Sequence, residues 1–143
     1  MKKNILIPIL LLLICLGLSA NALCEDWLGY GSNDIGLFLY DKDSVSKDEK
    51  GMISVTQKNL FTRETARALE DALPVLKGVS FTISNDIIDC EKGIYEIKRM
   101  LYYDKHGNIL HDTEPDKEKY NPIGFRPIPV DSMIGRVADI VCH

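Results

Sequence analysis

Cysteine and histidine are the residues through which this chain could do chemistry. It holds four cysteines and three histidines in 143 residues. His106 and His111 flank a tight turn, with Asp104 and Asp112 beside them. Imidazole and carboxylate together suit zinc. Their spacing matches no metal motif, and His106 occupies a turn position that takes any polar residue. Asp41 and Asp43 begin like a calcium loop, but the D-x-[DN]-x-[DN]-G spacing is not completed. No nucleophile elbow, phosphate loop or dinucleotide fingerprint occurs. The acidic residues gather at 41–49, 86–91 and 112–118, as solvated runs do. We therefore expect no catalytic residue, no cofactor and no metal site.

What the cysteines do depends on their compartment. Lys2 and Lys3 precede the apolar run "ILIPILLLLICLGLS", and Ala20-Asn21-Ala22 follows as an A-x-A site. This is the pattern of a secretory signal peptide, residues 1–22. The run is short for a membrane span, which takes ~20 apolar residues. Leu23 precedes Cys24 and Ile14 precedes Cys15, where a lipoprotein signal has a small residue, so lipidation is not expected. Residues 23–143 then form a single domain of 121 residues with one modest core. The formal charge of −4 becomes −6 once Lys2 and Lys3 leave. That balance argues against nucleic acid, which needs clustered Lys and Arg. It also argues against attraction to anionic lipid surfaces. The expectation is an exported protein of the periplasm or outer cell surface, with no stable membrane insertion after signal cleavage.

In an oxidising compartment cysteines pair by default. Cys15 departs with the signal, leaving Cys24, Cys90 and Cys142. Cys24 stands next to the cut in a segment without pattern, whereas Cys90 and Cys142 lie in patterned segments, so those two are paired. The rival pairing joins Cys24 to either one. A cut after Cys24 would instead leave an even count. A Cys90–Cys142 bond closes 51 intervening residues, and the chain-entropy model values that at ~4 kcal/mol. Its role is structural.

The elements that must position these residues read as mostly strand. "DWLGYGS" (26–32) and "GLFLYD" (36–41) are aromatic and apolar. "DKDSVSKDEKG" (41–51) is charged and turn-rich. "MISVTQK" (52–58) alternates Ile53 and Val55 with Ser54 and Thr56, as a half-buried strand does. From residue 62 the period changes. Ala66, Leu69, Leu73 and Leu76 share one helical face, with Thr62 as N-cap, Pro74 ending the helix near Leu73 and Gly78 closing the segment. "VSFTIS" (79–84) puts Val79, Phe81 and Ile83 on one face and Ser80, Thr82 and Ser84 on the other. Asn85-Asp86 interrupts it, and "IIDC" resumes. Glu91-Lys92-Gly93 is a hairpin turn into "IYEIKRMLYYD" (94–104). There Tyr95 and Ile97 fall out of phase with Met100 and Tyr102, so a bulge near Arg99 is expected. "DKHGN" is a second tight turn, before "ILHD" (109–112). Four prolines between 113 and 130 exclude regular structure there. In "PVDSMIGRVADIVCH" (129–143), Met133, Val137, Ile140 and Val141 make one apolar stripe, capped by Asp131 or Ser132. A helix this short is marginal in water and needs a sheet to lie on. The fold class is α+β: an antiparallel meander of about six strands, a C-terminal helix packed on it, and one additional helix inserted between strands.

The order of these pieces resembles the surface-adhesin protein E family of Gram-negative bacteria. That pattern runs aromatic-D-x-D-S-hydrophobic, D-C, Y-D-x-x-G-N, P-x-S and a closing hydrophobic-C. In this chain it falls on Tyr40 to Val45, Asp89-Cys90, Tyr103 to Asn108, Pro129 to Ser132 and Val141-Cys142. The resemblance implies a six-stranded antiparallel sheet with a C-terminal helix tied to it by a disulfide. It implies adhesion, with protein or other macromolecules at the cell envelope or surface as partners, and a homodimer. It places no ligand-binding residue on this chain. The expected function is an exported, non-catalytic protein-binding module. The alternative is a periplasmic small-molecule or metal-binding protein using His106 and His111.

Overall fold

The computed structural model describes residues 26–114 and 124–143. The expected signal peptide, its cut site and Cys24 lie outside the described residues. Six strands follow one another as an antiparallel meander: β1 (Trp27–Ser32), β2 (Gly36–Lys47), β3 (Ile53–Phe61), β4 (Val79–Asp89), β5 (Ile94–Asp104) and β6 (Ile109–Asp112). The helix α1 (Arg63–Ala72) and a 3-10 turn (Pro74–Leu76) connect β3 to β4. A two-residue strand β7 (Arg126–Pro127) pairs with β5, and the helix α2 (Met133–Val141) ends the chain. This is the α+β meander expected from the sequence, with one short strand added.

Several differences from the sequence reading have local causes. Residues 41–47 are not turn but the continuation of β2. Its register slips between Asp41 and Ser46. There the Ser44 hydroxyl accepts from the Thr56 N–H at 2.8 Å, which stands in for a ladder bond. The turn itself is shorter: the Asp48 carboxylate accepts from the N–H groups of Lys50 and Met52, both at 2.8 Å. Asn85-Asp86 does not interrupt β4, which runs unbroken from Val79 to Asp89. The irregularity is instead on β5. Asn85 pairs with Arg99 and Asp86 with Ile97, so Lys98 is the extra residue of a bulge. This is the bulge anticipated near Arg99. Pro127 also enters the sheet, where prolines had excluded regular structure. It does so in a strand of two residues, where its missing N–H removes no interior ladder bond.

The Thr62 side chain caps α1 by accepting from the Thr65 N–H. The expected apolar face stops early. Leu73 sits at φ −136°, ψ 94°, since the residue before a proline is driven out of helical space. Leu73 is consequently 44 % exposed, while Leu76 is fully buried.

The core lies between one sheet face and α2. Ile53 and Val55 of β3, Ile88 of β4 and Tyr95 of β5 meet Val137 and Ala138. The other face carries a stack of Phe81 on Tyr103, with centroids 4.8 Å apart. The Lys58 ammonium lies 4.5 Å from the Phe81 ring and 5.3 Å from that of Trp27, a cation–π arrangement.

Candidate functional site

Period two in β4 places Thr82, Ser84, Asp86 and Ile88 on one face. That face is the one bearing α2, because Ile88 belongs to the core. The buried side of β4 is thus mostly polar, and Thr82, Ser84 and Asp86 are all buried. Across the ladder Gln57 stands opposite Ser84, and Val55 opposite Asp86.

Buried polar groups need partners, and here they find one another. The Tyr30 hydroxyl donates to Gln57 Oε1, and Gln57 Nε2 donates to Asp86 Oδ2. The Ser84 hydroxyl donates to the same Asp86 oxygen at 3.2 Å. Three strands are joined through this chain. Among the described residues Asp86 Oδ1 is buried without a partner, and so is Arg126 Nε. The Arg126 guanidinium lies over the Tyr95 ring, 4.6 Å from its centroid.

Burial decides the ionisation of this cluster. It pushes the Asp86 carboxyl up to about 7, although the Ser84 and Gln57 hydrogen bonds and the Arg126 charge pull the other way. The Tyr30 phenol is raised well above its ordinary range, by burial first and by Asp86 second.

Cys90 directly follows β4 and Cys142 caps α2; the structure bonds them, with S–S at 2.07 Å. Beside the bond an open groove of about 770 Å³ runs between Glu91, Ile128, Val130, Arg136, Asp139 and His143. Val130 on its rim is 90 % exposed. Asp131, next to it, has φ 57°, a left-handed conformation that aspartate tolerates better than most residues.

His106 and His111 are not brought into such a site. The backbone N–H of His106 donates to Asp104 Oδ1 at 2.8 Å within an exposed turn. His111 faces Tyr102 across β5 and β6, with ring centroids 6.0 Å apart. Among the described residues no group of three or more His, Cys, Asp or Glu is placed to hold a metal. The Arg99 fork instead grips Asp112, with Nε to Oδ1 at 3.0 Å and Nη2 to Oδ2 at 2.6 Å. Tyr30, Gln57, Asp86 and Arg126 escape sequence reasoning. The available signal was the row Thr82, Ser84, Asp86, in phase with buried Ile88.

An open antiparallel sheet with a helix fastened across one face by a disulfide defines a braced α+β domain. The chain belongs to the surface-adhesin protein E family, whose model matches residues 27–143. No curated protein and no solved structure gives a significant match. Membership supports a surface-adhesin-like role for an exported protein. No helix among the described residues is long and apolar enough to cross a membrane.

Proposed function

We propose that the chain is an exported, non-catalytic module that binds a protein or other macromolecule at the cell envelope or surface. The observation that carries this reading is the family match over residues 27–143. Residues 1–22 would direct export and be removed, leaving 23–143 as the working domain. The groove beside the disulfide supports the reading as a contact surface. It offers apolar Ile128 and Val130 among charges of both signs, the mixture of an interface core and its polar rim. Pairing of two copies belongs to the same reading, since β1 is an edge strand of the sheet, and edge strands template further pairing.

The test is surface-immobilised protein, residues 23–143, against purified matrix and serum proteins and solubilised envelope fractions. Saturable binding to a purified component, weakened by Val130→Asp, is the expected result. Retention of no macromolecule by folded, disulfide-bonded protein would overturn the proposal.

A further inference from the structure

The sheet face that bears α2 gives the helix little to hold. Along β4 that face is polar, with Thr82, Ser84 and Asp86 buried on it. Of the nine residues of α2, Val137 and Ala138 are buried, and Ile134 and Val141 pack more loosely against the core. Among the described residues no hydrogen bond and no ion pair joins α2 to a strand. Its first turn is fastened to the loop before it. The Ser132 hydroxyl donates to the Pro129 carbonyl at 2.7 Å and accepts from the Gly135 N–H at 3.1 Å. At the other end stands the Cys90–Cys142 bond. A helix of this length is marginal by itself in water, so its docking leans on that bond. The sheet does not: the β3–β4 ladder alone is continuous over eight residue pairs.

The bond is also within reach of solvent. Cys90 and Cys142 are both half-buried, and both line the open groove of about 770 Å³. Gly93 and Gly135, which bring no side chain, share that lining. Exchange needs a thiolate that can reach one sulfur of the pair. Enclosed structural cysteines are inert for want of that access, and here the groove supplies it.

We propose that the Cys90–Cys142 bond is a thiol–disulfide exchange site whose reaction partner is a dithiol, and that its reduction frees α2 while the sheet stays folded. The partner's thiolate bonds to one sulfur of the pair, and the other leaves as a thiolate and takes up a proton. The partner's second thiol then gives up its proton and displaces the first. The chain ends as two thiols and the partner as a disulfide, with two electrons and two protons transferred. Arg136, Asp139 and His143 travel with the helix, so the groove they line belongs to the oxidised form.

Dithiothreitol is the probe, with the oxidised, folded protein as its target. Free thiols at Cys90 and Cys142 are followed by alkylation and mass after an acid quench, with and without urea well below the unfolding midpoint. The rate should rise in proportion to dithiothreitol and change by less than about twofold with urea, because the attack exposes little new surface. A rate that levels off with dithiothreitol, or climbs with urea as global unfolding does, overturns the proposal. Native-state hydrogen exchange then reads the reduced protein. Amides from Val137 to Cys142 should exchange at least about tenfold faster than those of the β3–β4 ladder, through an opening insensitive to low urea. The same helix amides should be at least about tenfold slower in the oxidised protein. Convergence of helix and ladder amides on one opening in the reduced protein, or loss of ladder protection on reduction, overturns the proposal.

Discussion

Cys142, the cap of the terminal helix, is bonded to Cys90, the first residue after β4, and their Cα atoms are 5.8 Å apart. The bond spans 52 positions of sequence and fixes α2 across the face that carries the core. The helix contributes Val137 and Ala138 to that core, which is modest burial for nine residues. Replacing both cysteines by serine should lower the unfolding free energy by about 4 kcal/mol. Urea unfolding of the double variant, beside reduced and oxidised unaltered protein, measures this. Equal stability of all three would show the staple to be idle.

Ile88 is fully buried between Ile53, Tyr95 and the helix. Ile88→Ala should cost roughly 3 kcal/mol, the transfer free energy plus a cavity. Ile109→Ala, at a residue 58 % exposed, should stay within about 0.5 kcal/mol. Denaturation midpoints for the pair check the contrast.

Asp86 predicts an unusual dependence of global stability on pH. Its folded value, about 7, stands above the ordinary 3.8, so between these limits the folded chain holds a proton that the unfolded chain has lost. Its contribution is fully present below pH 4 and is lost as pH rises toward 7. The loss is on the order of a few kcal/mol, at 1.4 per unit. Asp86→Asn should flatten this limb and gain stability relative to the unaltered protein at pH 8. Thermal melts across pH 4 to 8 test the sign.

Asp112 predicts the opposite slope. The Arg99 fork holds its carboxyl down at about 2. Its contribution is therefore complete above the ordinary carboxylate range and disappears as pH falls from about 4 through 2. Arg99→Gln should raise Asp112 toward the ordinary range in a carboxyl NMR titration, with the Glu114 N–H, 2.9 Å from Oδ1, still holding it partly down. An unmoved midpoint would mean that the fork does not set it.

Thr62 is the N-cap of α1, and its hydroxyl also donates to the Asp34 carbonyl at 3.0 Å. Thr62→Ala should destabilise the domain by about 1 kcal/mol, whereas Thr62→Ser should be near neutral. Paired chemical unfolding curves would measure both.

The sequence by itself determined most of the elements and their order, because local rules write them, while the continuation of β2 past Asp41 and the pairing of β7 came only with the sheet. Alternation marked β3 and β4, the 3.6 period marked α1 and α2, and Gly93 and Gly107 supplied the positive φ, 63° and 83°, that two turns require. The phase slip in "IYEIKRMLYY" disclosed a bulge because one extra residue reverses the facing of every residue after it. The pairing of Cys90 with Cys142 followed from which segments were patterned. Only the tertiary structure decided which face of β4 is covered. Alternation tells two faces apart without saying where a helix will lie, and here the helix lies on the face of Thr82, Ser84 and Asp86. The cluster of Tyr30, Gln57, Asp86 and Arg126 joins residues from across the whole chain. No local period connects them, and the ionisation of Asp86 depends on a burial that exists only once the sheet and its C-terminal layer have met.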